Sequence, residues 1–471
     1  MKITENTIEC RKQNNGTITN RGDSVEHKGH GNGQSGSKII EKDDINTNKS
    51  TEKILEQILL RDNMNNAYLK VKRNKGAGGV DKMEIEELLE HLKTHREGIL
   101  KSLLEGSYKP YPVKQVEIPK ENGKTRKLGI PTLTDRVVQQ AILQVLSPIY
   151  EEQFSNTSYG FRPNRGCHDA LKKCQEYANQ GYWYVIDMDL KKFFDTVNQS
   201  MLIEILSRTI KDNRVISLIH KFVNAGIMDG GMFVKNETGI NQGGPLSPLL
   251  ANIVLNELDQ KLDEWGYLYV RYADDLLIFT KSKRAAERQY ERASKYIEGK
   301  LKLKINKEKT KISKLSQTKY LGYTFYRHDG KCRLRVHPKS INRLKDKLRL
   351  VTGRSNGMSI EGRKTKLNQI IRGWVQYFKL ADMKSIMQKI DEWLRRRIRM
   401  ITWKRWKKVE TKFENLQKLG VAKGKAWEWA NTRKGYWHTA NSWILATTLT
   451  NARFGKQGYL SFYKYYLEVR V

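Results

Sequence analysis

The run Val270-Arg271-Tyr272-Ala273-Asp274-Asp275-Leu276-Leu277-Ile278-Phe279 constrains this chain more than any other stretch. β-Branched and aromatic residues flank two adjacent carboxylates, a pattern that predicts a β-hairpin with the Asp pair at or beside its turn. Two acids side by side on a tight turn repel each other and are costly unless a cation sits between them. Mg²⁺ is the natural cation, because it takes oxygen ligands and bridges to substrate phosphates. A solvated Asp-Asp turn is the ordinary alternative, and the pair alone does not exclude it.

A second acidic stretch changes the balance. Tyr182-Trp183-Tyr184-Val185-Ile186-Asp187-Met188-Asp189-Leu190 reads as an apolar strand with Asp187 and Asp189 on one face. Asp189 with Asp274 and Asp275 makes three carboxylates from two distant segments, the minimum for holding two Mg²⁺ ions. In that chemistry one metal activates an attacking 3′-hydroxyl and the other steadies a pyrophosphate leaving group. The acids then belong on adjacent strands of a rigid sheet, because small errors of in-line geometry are expensive.

Charge points to the partner. The 471 residues carry 87 Lys and Arg against 51 Asp and Glu, a formal net charge of +36. Such a surplus predicts a polyanion, nucleic acid first. The N-terminus lacks the apolar core of a signal peptide, and no long apolar run stands out, so no membrane is expected and the cytoplasm is the expected compartment. The four cysteines form no C-x-x-C pair, which argues against a zinc knuckle.

In chain order, residues 1–50 are polar and Gly-rich and read as a disordered extension. Helical spacing begins near Lys53. Residues 108–131 read as a hairpin turning at Glu121-Asn122-Gly123-Lys124; its cations Lys114, Lys120, Lys124, Arg126 and Lys127 suit a triphosphate, with an ordinary solvated basic hairpin as the alternative. Ser158 to Gly166 interleaves aromatics with Arg162 and Arg165, a surface suited to bases and phosphates. Met201 to Ala225 reads as helical. Gln242-Gly243-Gly244-Pro245 breaks the chain before an apolar helix and can present backbone N–H groups to a nucleotide or template. Leu301 to Asn306 and Tyr320 to Phe325 alternate like strands. Beyond His337 the chain turns to basic helices. There Arg395, Arg396, Arg397 and Arg399, then Lys404, Arg405, Lys407 and Lys408 beside Trp403 and Trp406, read as RNA-binding.

These blocks resemble, in order, those of the group II intron-encoded reverse transcriptases with maturase activity, here of the bacterial type without an HNH endonuclease. The likeness runs from about Ile54 to the C-terminus. It rests on Asn65-Asn66-Ala67-Tyr68 with Gly79-Val80-Asp81; Ile118-Pro119-Lys120 with Arg126 to Pro131; Tyr159 to Pro163; Asp189 to Asp195; Gln242-Gly243-Gly244 with Ser247-Pro248; Tyr272-Ala273-Asp274-Asp275; Lys307 to Thr310; and Tyr320-Leu321-Gly322. Each block alone is weak; their shared order is specific.

The resemblance implies an α+β right-hand polymerase. Fingers and palm would occupy 51–330, a helical thumb or maturase domain 331–410, and a small basic C-terminal RNA- and DNA-binding domain 411–471. It implies RNA-directed DNA synthesis from dNTPs on an RNA template with a DNA primer. It also implies binding of the parent intron RNA to assist splicing, and retrohoming into target DNA. Asp189, Asp274 and Asp275 would hold two Mg²⁺, with Asp187 the competitor in the first motif. Phe194 would be the sugar gate that excludes ribonucleotides, with Phe193 the core residue beside it. Lys120 and Arg126 would hold the triphosphate, with Gln242 and Gly243 at the nucleotide or template. Lys309 would protonate pyrophosphate or stand as a surface lysine.

Asn241 departs from the family's usual Pro. The absence of paired Cys and His near the C-terminus predicts no self-encoded second-strand nicking. The rival readings are a splicing-only RNA-binding maturase, a domesticated reverse transcriptase in phage defence or repair, and an RNA-dependent RNA polymerase.

Overall fold

A computed structural model describes residues 52–119 and 125–470. The expected disorder of 1–50, the Glu121–Lys124 turn and Lys120 lie outside the described residues. Among these, one compact unit comprises 52–173 with 185–312, and a second comprises 174–184 with 313–470.

The first unit is built on two sheets. The first pairs β1 (Val113–Pro119) with β2 (Thr125–Ile130) in antiparallel register, from Lys114 opposite Ile130 to Pro119 opposite Thr125. The second contains β3 (Tyr184–Met188). β4 (Ile227–Asp229) and β5 (Met232–Val234) join the first sheet, in the order β2-β1-β4-β5. The second sheet runs β6-β7-β3-β8, with β6 (Leu268–Tyr272), β7 (Asp275–Thr280) and β8 (Lys311–Lys314), where the chain passes into the second unit. β7 lies inside this sheet. Its Leu276, Leu277, Ile278 and Phe279 are all buried, as a strand covered on both faces requires.

The helix Ser247–Glu264 buries Leu249, Leu250, Ile253, Val254, Leu255, Leu258 and Leu262. Each fully buried residue of this kind contributes about 1.5–3 kcal/mol of transfer free energy. A helix, Leu133–Glu151, is capped by Thr132, whose side chain accepts from the Asp135 amide.

Two expectations change. The 201–225 region is two helices, Gln199–Thr209 and Asn213–Val223, because Asp212 starts the second. Its carboxylate accepts from the Arg214 and Leu55 amides at 3.1 and 3.0 Å. The 301–306 segment is not a strand. Lys302 sits at φ +55°, and only Ile305 makes an isolated bridge, to Leu190. The segment instead runs briefly beside the residues after β3, with Lys191 N donating to the Lys304 carbonyl at 2.7 Å and Asn306 N to the Asp189 carbonyl at 2.8 Å.

The second unit opens on the hairpin of β9 (Tyr323–His328) and β10 (Lys331–Val336), in which Cys332, Leu334 and Val336 turn inward at period two. Helices Pro338–Val351, Ile360–Phe378 and Lys384–Arg405 follow. Among the described residues no helix is long and apolar enough to cross a membrane. The aromatic C-terminal stretch is folded. Its last helix, Phe462–Val469, buries Phe462 and Tyr466, and the Tyr466 hydroxyl donates to the Ala381 carbonyl at 2.8 Å. Asp391, from a different helix, accepts from the Phe462 and Tyr463 amides, both at 2.9 Å, and from Ser461 Oγ at 2.5 Å. That carboxylate satisfies two of the helix's orphan donors and complements the positive end of its dipole. Asp391→Ala should therefore weaken docking of this helix by about 1–3 kcal/mol. Hydrogen exchange should show faster amides over 462–469 and unchanged ones over 268–280.

Candidate active site

Pairing in the β6–β7 hairpin ends with Tyr272 opposite Asp275, so Ala273 and Asp274 are the turn itself. Ala273 takes a left-handed φ of +58°, an uncommon conformation for a residue with a Cβ. What holds it there lies beneath. Arg271 is 1% exposed and faces Asp259, 0% exposed, on the helix Ser247–Glu264. Its Nε donates to the two Asp259 oxygens at 2.8 and 3.0 Å, and Nη2 completes the fork. Its Nη1 donates to Asn252 Oδ1 and to the Ala273 carbonyl, both at 3.0 Å. Burial pushes the Asp259 carboxyl up, and the guanidinium opposes that shift. One side chain thus ties helix, strand and turn together.

The Tyr159–Pro163 block supports the same turn. Tyr159 N donates to the Arg271 carbonyl, and Arg271 N to the Thr157 carbonyl, both at 2.9 Å, which adds a short pairing to β6. Gly160 packs flat on the turn; a Cβ there would run into the Ala273 amide nitrogen. Its carbonyl accepts from Asn252 Nδ2 at 2.8 Å. The reading of this block as a nucleic-acid surface is corrected at Arg162. That residue is buried, pairs with Glu151 at 2.7 Å and donates to the Ser158 carbonyl at 2.9 Å. Composition alone does not reveal which way an arginine points.

Asp189 follows β3 by one residue, and β3 neighbours β7. Its amide donates to Thr310 Oγ1 at 3.2 Å, and its carbonyl accepts from Asn306 N at 2.8 Å. Its carboxylate accepts from Asn306 Nδ2 at 2.8 Å and pairs with Lys309 Nζ at 3.3 Å. The Lys307–Thr310 block therefore wraps the first acidic motif. The roles of Asn306 and Thr310 are not legible in the sequence, because each needs a partner more than a hundred residues away. Asp187 and Asp189 differ in kind. Burial foremost, then the charge of Asp189, pushes the Asp187 carboxyl up to about 6, with Lys311 opposing.

The sheet sets Asp189 and the Asp274–Asp275 turn on neighbouring strands. Among the described residues no three Asp, Glu, His or Cys side chains converge into a metal-holding cluster. In this arrangement the ammonium of Lys309 neutralises Asp189. Three further candidates do come together. Arg126 Nε donates to Gln242 Oε1 at 2.8 Å, and Gly129 N donates to the Gln242 carbonyl at 2.6 Å. Gly243, at φ +124°, lies so close that a Cβ would strike the Gly129 carbonyl oxygen. The β1–β2 hairpin is thereby docked on the glycine turn. Phe194 is 8% exposed and meets Phe193 edge-on at 5.3 Å, while its carbonyl accepts from Ile240 N at 2.7 Å.

In the second unit the arginine run is largely internal. Arg395 is 5% exposed, donates to the Leu460 carbonyl at 3.0 Å and lies over Phe454. Arg396 donates to the Trp437 carbonyl at 3.1 Å, Arg397 to Thr352 Oγ1 at 2.5 Å, and Arg399 to the Leu449 carbonyl at 3.0 Å. Lys404 donates to the Arg354 carbonyl at 3.0 Å. The expectation that Arg395 meets RNA is corrected by its burial. Arg405, Lys407 and Lys408 are exposed.

Comparison with known proteins agrees with this architecture. Residues 118–325 match the family described as reverse transcriptase (RNA-dependent DNA polymerase), and 341–420 match the group II intron, maturase-specific domain. The chain is 37% identical over 291 residues to Protein YkfC of Escherichia coli, covering 53% of this chain and 74% of that protein. It is 35% identical over 291 residues to the group II intron-encoded protein LtrA of Lactococcus lactis subsp. cremoris, covering 48% of each. A putative COX1/OXI3 intron 2 protein of Saccharomyces cerevisiae is 36% identical over 201 residues, 42% of this chain and 23% of that one. The chain thus spans about half of LtrA or less of the longer intron proteins it matches.

The buried pair under the turn yields a direct test. Arg271→Met leaves Asp259 buried and uncompensated and should cost about 3–5 kcal/mol, read as a large drop in unfolding midpoint. Adding Asp259→Leu should recover much of that loss.

Proposed function

This chain belongs to the reverse transcriptases that carry a group II intron maturase-specific domain, and from that premise we propose that it copies RNA into DNA. We further propose that it binds the RNA of a group II intron to assist splicing and retrohoming into target DNA. The observation that carries the reading is the shared sheet: Asp189 and the Asp274–Asp275 turn stand on neighbouring strands, over a turn locked from below.

The donor set at these three positions is all oxygen, which suits a hard divalent cation such as Mg²⁺. Asp189, Asp274 and Asp275 are the residues that would hold two such ions, which would supply Lewis-acid activation of the primer hydroxyl and charge neutralisation at the phosphates. The rest falls to the chain's own groups. Arg126, oriented by Gln242, offers the triphosphate a planar fork, joined by Lys120. Gly243 lets that hairpin sit directly on the glycine turn that enters the helix Ser247–Glu264. Phe194, with its backbone pinned to Ile240, limits room at the sugar 2′ position. Lys309 holds a proton 3.3 Å from the Asp189 carboxylate and is placed to pass it to departing pyrophosphate. The exposed cations Arg405, Lys407 and Lys408 face an RNA backbone, and we assign the protein to the cytoplasm.

Primer extension on an RNA template with dNTPs tests the polymerase. Asp274→Ala should slow incorporation by roughly 10³-fold or more, because several kcal/mol of charge stabilisation disappear. Its affinity for intron RNA should stay within about twofold, since phosphate contacts elsewhere dominate binding. Extension at the wild-type rate by this variant would refute the assignment. Phe194→Ala should incorporate ribonucleotides more readily than the wild type in the same assay.

A further inference from the structure

We propose that the second unit seizes one unstacked nucleotide of a single strand in the pocket lined by Arg354, Trp393, Arg397, Met400 and Trp437. The proposal deepens the reading that this unit grips nucleic acid, and rests on it. The pocket holds about 360 Å³, within the ~300–1,000 Å³ span of small-ligand sites.

Its walls supply the two things a nucleotide needs. The first is rigid aromatic surface. Trp437, on the short helix Tyr436–Thr439, remains 37% exposed. The Arg396 guanidinium stacks 3.9 Å from its ring centroid, and the same group binds the Trp437 backbone carbonyl. Trp393 is steadied likewise by Arg397 at 5.2 Å and Arg349 at 5.7 Å. An indole has two faces; the single guanidinium over Trp437 fixes that ring, and its exposed part offers π-surface to a base.

The second is uncompensated positive charge. Arg349, Arg354 and Arg397 lie close enough that the first two, after burial, lower the proton affinity of the third. Arg349 has an acid partner, Asp346, at 2.5 Å. Among the described residues Arg354 and Arg397 have no carboxylate partner. Lys404 adds its ammonium 3.1 Å from Ser355 Oγ, beside Arg354. Arg397 spends Nε on Thr352 Oγ1 and Nη2 on the Thr352 carbonyl at 3.2 Å, so it lends charge, and the exposed Arg354 is the guanidinium left to grip a phosphate. An acidic peptide would answer the charge but not the indoles, and an apolar ligand would answer the indoles but not the charge. Base and phosphate together answer both, and an unstacked strand is the source that offers a free base face.

The test uses the full-length protein and labelled octamers: octaadenylate RNA, its deoxy counterpart, and an abasic strand with the same phosphates. The wild type should bind a base-bearing strand about tenfold tighter than the abasic one. The RNA and DNA arms tell which strand the pocket serves. Trp437→Ala removes the ring but keeps the carbonyl that Arg396 binds, and should abolish the preference for bases. Trp437→Phe should restore most of it. Arg354→Ala should weaken all three strands and flatten the salt dependence by about one phosphate. Circular dichroism checks the fold of each variant. A base preference that survives Trp437→Ala, or hexaglutamate competing as well as octaadenylate, overturns the pocket. Wild-type primer extension is read in parallel; its failure counts against the polymerase assignment and leaves the base preference to be judged by itself.

Discussion

The acidic turn depends on an ion pair that never meets solvent. Taking a guanidinium and a carboxylate out of water costs several kcal/mol per ion, and such a pair repays this only when geometry and extra hydrogen bonds are nearly complete. Arg271 meets that condition. Its fork fills both Asp259 oxygens, and its remaining nitrogen serves Asn252 and the Ala273 carbonyl. Apolar residues of the same volume would be at least as stabilising, but they would not specify where the Ala273 carbonyl points. Orientation of the turn is what the charge contributes. Because Ala273 sits at φ +58°, the turn has a strained link that would relax without this anchor.

The same logic extends outward from the turn. Asn252 is shared between Arg271 and the Gly160 carbonyl, so the Tyr159–Pro163 segment and the hairpin are set by one amide. On the other side Asp189 is gripped through its amide, its carbonyl and its carboxylate by Asn306, Lys309 and Thr310. The acids in front are therefore carried by backbones with little freedom. Rigid placement of this kind is what in-line chemistry between two substrates demands, since an error of 1 Å is costly in rate.

How much of this is legible in the sequence depends on range. The β6–β7 hairpin, the β1–β2 hairpin, the capped helix from Leu133 and the alternate acids of β3 all follow from periods of two or 3.6 and from turn chemistry. Each signal lies within about twenty residues. The docking of Arg126 on Gln242 was anticipated only as a shared ligand, not as a contact. Arg271 is silent inside an apolar run, because its partner stands on another element and nothing local marks it. Arg162 and Arg395 were read outward for the same reason: a basic residue among aromatics has one composition whether it faces phosphate or a carbonyl. Gly160 and Gly243 look like ordinary turn glycines. Their need for no side chain comes from a strand that approaches from elsewhere in the chain.

A net charge of +36 thus overstates the surface offered to a polyanion. Arg162 and Arg271 spend their donors inside the fold, Arg395 is buried there with Nη2 on the Leu460 carbonyl, and Arg396 and Arg399 bind carbonyls of the C-terminal segment. A guanidinium with its donors filled by backbone oxygens keeps its charge but has little left for bidentate phosphate recognition. The useful quantity is therefore the cation with free donors and no carboxylate partner beside an accessible aromatic, and in the second unit this singles out Arg354 in the pocket with Trp393 and Trp437, with Arg397 adding charge but few donors. The acids sort by the same rule. Asp259 is consumed by Arg271, and Asp212 by Arg214 and two amides, whereas Asp274 at the head of the turn has no ion pair among the described residues. Charges that the fold has already satisfied hold the molecule together; those it has left unsatisfied are where a ligand of opposite sign gains most by binding.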